Sequence, residues 1–369
     1  LKHHRGIIAT LVAALGLSNP LWAQGEAGSQ PTSPEMCLIT PDPGCMNSQV
    51  IPDALAQDSP GVRLQEMAEA LLERGEQAYA RQLLEAAIEI GFDGFSTTTG
   101  FGTNSDLWTV SRIGRFLDLL EQNGFADLQR ATIDMLDGFV EGHPESNARE
   151  DALYQMFSAF LDLGAHDDAL STADRMASKW RRYGDVAVAY AEAGRTDDAL
   201  ALSDAIGNSA LRLEAKARVS QTLAERGQIE LAIEVLPSGA PGIEVTNAHK
   251  AIASALVLAG RTDEAIAYAD ALRGPFRRSY VQDSTAGALA AIGEFGLALA
   301  LADRISLGQQ RAQALASVGE ILVAQGEVDR ARDILARFPS VSIWKDPVDE
   351  SIDEARTRLE QAIDAAVSR

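Results

Sequence analysis

The sequence predicts an all-α protein, an α-solenoid of about seven to eight antiparallel helix pairs closed by a C-terminal capping helix. Three observations carry this. Glycines fall at 194, 227, 260, 293 and 326, a constant step of 33 residues, and a fixed period of that order marks stacked helical repeats. The stretch after each glycine repeats in kind: GRTDDALALSDAI from Gly194, GRTDEAIAYADAL from Gly260, GEFGLALALADRI from Gly293, with a similar GAHDDALSTADRM from Gly164. Apolar residues recur at three- and four-residue steps, with no alternating-polarity pattern that would suggest strands.

Taken in order, residues 1–23 read as an export signal. Lys2, His3, His4 and Arg5 form a basic start, Gly6 to Leu17 is apolar, and Ala23 supplies a small residue for cleavage. A retained membrane anchor is the competing reading; the apolar run is shorter than the roughly 20 residues a span needs, and Pro20 breaks it. Residues 24–60 are rich in proline and glycine and are expected to form an extended leader. It holds the only two cysteines, Cys37 and Cys45, which export would join as a disulfide. A metal site would need further ligands, and no histidine lies nearby.

Residues 61–146 contain two divergent helical pairs turning at Gly75 and Gly124. Between them the stretch 91–106, GFDGFSTTTGFGTNSD, breaks the periodicity. Its phenylalanines 92, 95 and 101 are read as tucking onto neighbouring helices, with a contact loop as the alternative. Residues 147–338 form the regular repeats, and 339–369 a connection containing Trp344 followed by a capping helix with a charged outer face. Pro237 to Gly242 should end one second helix early and leave a kink or exposed loop.

Within the repeats, Ala169, Ala199, Ala232, Ala265, Ala298 and Ala331 stand five residues past a glycine. Ala187, Ser220, Ala253, Ala286 and Gly319 stand seven before one, and Tyr190, Leu223, Leu256, Leu289 and Leu322 four before. Small residues on both helices of a pair let the axes approach while the larger ones fill the surrounding space. At these residues the chain resembles the tetratricopeptide repeat family, in which a small residue on helix A, a turn glycine and a helix B alanine recur together. The helix A tryptophan of that family is absent, Ala173, Ser203, Ala269 or Ala302 replaces its helix B aromatic, and the period is one residue short of its usual length.

The resemblance implies a protein or peptide partner held in a concave groove by polar residues of helix A. Carried onto this chain, those positions are Glu214, Gln221, Asn247, Lys250, Tyr280, Asp283, Gln313 and Glu320. A second periodic feature is expected to be structural: Asp174, Asp204, Asp270 and Asp303 end second helices, and Arg182, Arg212, Arg278 and Arg311 follow eight residues later. Each Asp/Arg pair should meet across the turn. The clusters Lys179-Trp-Arg-Arg-Tyr183 and Pro275-Phe-Arg-Arg-Ser-Tyr280 share one repeat position, which favours packing over ligand binding.

The formal charge is −21, with 53 acidic against 32 basic residues, and signal removal would make it −23. Such a surface repels nucleic acid and anionic lipid, so neither partner is expected. His143, His166 and His249 are scattered, and are expected on the surface. No metal-ligand pair, nucleophile elbow, phosphate loop or dinucleotide fingerprint occurs, so no catalytic residue, metal or cofactor is expected. The predicted function is an exported, periplasmic, non-catalytic scaffold or adaptor of the bacterial cell envelope, with no stable membrane insertion after signal cleavage. The alternative is an enzyme or enzyme subunit of cell-wall or polysaccharide metabolism, which an acidic residue essential for turnover but not for folding would support.

Overall fold

The structure, a computed structural model, describes residues 33–96, 105–237, 239–340 and 347–368. The export signal read over 1–23, Phe101 and Trp344 lie outside the described residues. The chain divides into two compact units, up to Ala177 and from Ser178 onward.

Among the described residues of the first unit, α1 (Pro34–Ile39), α2 (Pro43–Cys45), a π-helical turn (Met46–Val50) and α3 (Ile51–Leu55) precede three helical pairs. The pairs are α4 (Pro60–Leu72) with α5 (Gln77–Ile90), α6 (Ser105–Gln122) with α7 (Ala126–Gly142), and α8 (Arg149–Asp162) with α9 (His166–Asp174). The expectation of an extended leader is not met where that leader is described. Pro34 and Pro43 occupy the first turns of α1 and α2, where a missing N–H leaves no helix bond unmade, and Pro52 stands in the first turn of α3 directly after the π-helical turn. The Asp42 carboxylate accepts from the Cys45 amide at 3.0 Å, and a disulfide joins Cys37 to Cys45.

This segment is docked on the first helical pair. Cys37, Met46, Val50 and Ala54 are fully buried, the Arg74 guanidinium donates to the carbonyls of Leu38 and Ile39, and Gln82 donates to Asn47 at 2.6 Å. In the 91–106 stretch, a short helical turn (Phe92–Phe95) places Phe92 flat on Phe139, with ring centroids 4.1 Å apart. Phe95 is buried edge-on to Phe116 at 5.2 Å. For these two rings the packing reading holds.

Among its described residues, the second unit contains five pairs and a last single helix. The pairs are α10 (Lys179–Glu192) with α11 (Thr196–Ala205), α12 (Ser209–Glu225) with α13 (Ile229–Val235), α14 (Ile243–Leu258) with α15 (Thr262–Ala271), α16 (Pro275–Ala291) with α17 (Phe295–Asp303), and α18 (Gly308–Ala324) with α19 (Val328–Ile334). The last helix is α20 (Pro347–Val367). Each repeat glycine has φ between 76° and 87°, a region that costs other residues dearly. The amide that follows it reaches back to the carbonyl of the residue four before the glycine: Arg195 to Tyr190, Gln228 to Leu223, Arg261 to Leu256, Glu294 to Leu289 and Glu327 to Leu322, at 2.8–2.9 Å. The conserved spacing is therefore the register of one helix-ending motif, repeated.

The repeat alanines from Ala169 to Ala331 are all fully buried, as are Ala187, Ser220, Ala253 and Ala286. Contact between the two helices of a pair is direct at Ser220, whose hydroxyl donates to the Ala232 carbonyl at 2.7 Å. At Gly319 the close neighbour is α20: a Cβ there would lie 2.6 Å from Leu359. Ile352, Ala355, Leu359 and Ile363 form the buried stripe of α20, so the last helix covers the end of the array as a cap should. α13 is only seven residues long and stops before Pro237, with Gly239 and Gly242 at positive φ beyond it, which matches the expected interruption.

The Asp/Arg pairing across the turn is corrected in part. Asp303 and Arg311 meet at 3.5 Å, but Asp204 pairs with Lys216 and Asp270 with Arg304. Arg212 and Arg278 instead donate to the carbonyls of Ile206 and Leu272, the residues that terminate α11 and α15. A cation at a helix carboxyl end satisfies an orphan carbonyl and complements the helix dipole, which an exposed ion pair alone does less well.

Candidate functional site

Consecutive first helices of the second unit (α10, α12, α14, α16, α18) pack side by side, and α20 continues the row against α18. Consecutive second helices make little contact of their own. The row of first helices therefore has one face toward its partner helices and one face open, and the 33-residue period lines up equivalent residues along that open face. Glu214, Asn247, Tyr280 and Gln313 occupy one column, Lys250 and Asp283 a second, and Gln221 and Glu320 a third. All eight are half-buried.

Three of the eight come together. Gln221, Asn247 and Lys250, with Ser254, Leu258 and Ser284, line a groove of about 370 Å³ over α14. Its floor is low because of another column, which reads Asp185, Arg218, Ala251 and Ser284 along the row. Asp185 and Arg218 fill their stretch with an ion pair at 2.8 Å, whereas Ala251 is a methyl group and Ser284 reaches only to Ser254, at 3.4 Å. The groove opens where side chains shrink. Leu258 stands at its margin, 72% exposed. The other five residues lie elsewhere on the face: Tyr280 against the exposed Phe276 at 4.6 Å, and Glu320 bound by Arg358 of α20 at 2.5 Å.

Electrostatics single out Asp283. Burial pushes its carboxyl up to about 6, with Lys250 and Arg358 pulling in the opposite direction. It makes no hydrogen bond or ion pair among the described residues, and the same holds for the side chains of Asn247 and Lys250. Gln221 is occupied, donating to Glu225 at 2.8 Å.

His249, expected on the surface, is largely buried. Its Nδ1 lies 2.6 Å from the Tyr268 hydroxyl, and burial, with the cation of Arg277, holds the imidazole down to about 4. Desolvation penalises the charged ring, and a neighbouring positive charge adds to the penalty. The basic-aromatic clusters are largely packing: Trp180 lies against Tyr183 and covers Gly207, and Arg277 donates to the Ala240 carbonyl at 2.6 Å. Ser254, Ser284 and Leu258 escaped the sequence reading. The signal that could have found them is the change from Asp185 and Arg218 to Ala251 and Ser284 in one column.

No helix among the described residues is long and apolar enough to cross a membrane. No family model matches the chain, and no curated protein does. Among solved structures, Ton1535 from Thermococcus onnurineus NA1 is similar over 80% of this chain and 98% of its own, at 14% identity and a TM-score of 0.23. The TPR domain of P58(IPK) is similar over 89% of this chain and 96% of its own, at 14% identity and a TM-score of 0.19. Superpositions this poor carry no structural or functional weight.

Proposed function

We propose that the chain is a non-catalytic scaffold or adaptor, exported to the bacterial cell envelope, that holds a protein or peptide partner on the open face of its first helices. The observation that carries this reading is the groove over α14, whose half-buried Asn247 and Lys250 make no side-chain hydrogen bond or ion pair among the described residues. Polar side chains held half-desolvated without partners represent binding capacity that a ligand can use. Shallow, open and lined by amides, hydroxyls and one exposed leucine, the groove suits an extended chain better than a compact small molecule. Export is supported by the basic-then-apolar start of the sequence and by the disulfide, which persists in oxidising compartments.

Photo-crosslinking in cells tests the reading, with the crosslinker at Ser254 and, as a control, at Glu234, an exposed residue of α13. A dominant protein adduct from Ser254, lost on Lys250→Glu, is the expected result. Adducts from Glu234 alone would move the contact surface to the second helices. Cell fractionation with mass determination of the amino terminus tests export, with cleavage after Ala23 as the expected product.

A further inference from the structure

The two basic-aromatic clusters part company in the structure. In the first, Trp180 covers Gly207 and lies edge-on to Tyr183, and Arg182 pairs with Asp185 at 3.2 Å. In the second, Phe276 is 60% exposed, with the Tyr280 ring 4.6 Å away. Ile243, at the matching position of α14, is 58% exposed, whereas Ala210 and Gln309 hold that position in α12 and α18. The apolar edge is therefore confined to the starts of α14 and α16.

The same place carries a surplus of cations. Arg273 is exposed and makes no hydrogen bond or ion pair among the described residues. Arg277 and Arg278 donate to the carbonyls of Ala240 and Leu272 but form no ion pair among them, and the Arg277 Nε is buried without an acceptor. The neighbouring carboxylates are engaged: Asp270 by Arg304 and Gln282, Asp303 by Arg311 and Arg337. Asp283, further along α16, is opposed by Lys250 and Arg358. Glu244, beside Gly242 at the start of α14, is left to face the three cations. The field of Arg277 reaches the interior, where it adds to burial in holding His249 down to about 4.

A positive, partly apolar patch on a chain of −21 restricts what can dock there. Nucleic acid and lipid surfaces spread their charge widely and meet the repulsion of the whole chain. A short acidic segment keeps its carboxylates within one Debye length, about 8 Å at physiological salt, where the local surplus decides. An inorganic anion would leave both rings in water, whereas an apolar side chain covers them. We infer that the start of α16 docks a short acidic segment of a partner protein, its carboxylates on Arg273, Arg277 and Arg278 and an apolar side chain over Phe276 and Tyr280. None of these five residues lines the groove over α14, so this contact can fail while the reading of the groove stands.

Selection of a random twelve-residue displayed peptide library on the full chain tests this, run in parallel on Arg273→Glu and Phe276→Ser. Both substitutions fall on exposed side chains, and circular dichroism checks that the variants are folded. The expected result is a class of peptides with two or more acidic residues beside an aromatic or aliphatic one. Their binding should weaken about tenfold or more on either substitution, the scale of one lost charge-assisted contact or one uncovered ring, and weaken further as salt is raised. Acidic peptides indifferent to both substitutions would overturn the inference, as would Phe276-dependent peptides without an acidic preference. Failure to enrich any acidic peptide would overturn it too. Phosphatidylserine vesicles bound by the unchanged chain and released by Arg273→Glu would assign the patch to a membrane instead.

Discussion

The two units solve the same packing problem with different side chains. In the second, the positions seven before and five after each glycine are small throughout, and the glycines keep one step of 33 residues. In the first, the positions seven before Gly75, Gly124 and Gly164 are Ala68, Leu117 and Phe157, and those five after are Ala80, Gln129 and Ala169, all buried. There the glycine steps are 49 and 40 residues, and aromatic contacts such as Phe95 on Phe116 and Phe92 on Phe139 fill the space. A contact built from methyl groups has essentially one geometry, so it can be repeated without adjustment. A contact built from large side chains needs a separate fit each time, and the period is lost.

The largest effect that would test this comparison is Phe116→Ala in the first unit, expected to cost about 3–5 kcal/mol in urea denaturation. A cost below about 1 kcal/mol would mean that aromatic packing is not what holds that unit. Next, Ala265→Leu in the second unit should cost about 1–3 kcal/mol by overpacking. Gln129→Leu, at the same repeat position of the first unit, should cost under about 1 kcal/mol, because that site already accommodates a long side chain. Equal costs at the two positions would erase the distinction. Smaller again, Arg278→Ala should lose about 0.3–1 kcal/mol through the uncapped end of α15, and should leave crosslinking from Ser254 intact.

Last is a pH dependence within the second unit, where Asp283 and His249, both shifted chiefly by burial, oppose each other. Asp283 is raised from 3.8 to about 6, so in this interval the folded state holds a proton that the unfolded state has released. Its contribution is present below 3.8 and is lost as pH rises through about 6. His249 is lowered from 6.5 to about 4, so the unfolded state holds the extra proton. Its contribution is present above 6.5 and is lost as pH falls through about 4. Asp283→Asn removes the first slope only, so the melting temperature of that variant should climb with pH between 4 and 6 more steeply than in the unchanged chain. A shallower climb would reverse the assignment.

The leader shows how local signals mislead. Prolines and glycines between 24 and 60 suggest extended chain, yet Pro34, Pro43 and Pro52 each sit in a helical first turn, and the segment is held by the disulfide, by Arg74 and by a buried face. Proline composition alone does not say whether a proline starts a helix or prevents one. The arginines that follow each second helix were legible as a period but not in their partners, since a long side chain can reach a carboxylate or a helix-terminal carbonyl from the same Cα. His249 reads as a lone surface residue until Tyr268, nineteen residues on in the paired helix, is brought against it.

The sequence by itself determined the helices of the paired repeats, the turn at each glycine, the small-on-small contact within pairs and the capping helix. All of these depend on residues within one or two turns of each other, or on a period that can be counted. Only the tertiary structure decided that Gln221, Asn247 and Lys250 share a groove while Glu320 is taken by Arg358, that Asp283 lacks a donor, and that the leader is helical. Those facts depend on what stands one repeat away in space, where the size of a neighbouring side chain, whether Arg218 or Ala251, sets the difference between a filled surface and an open one.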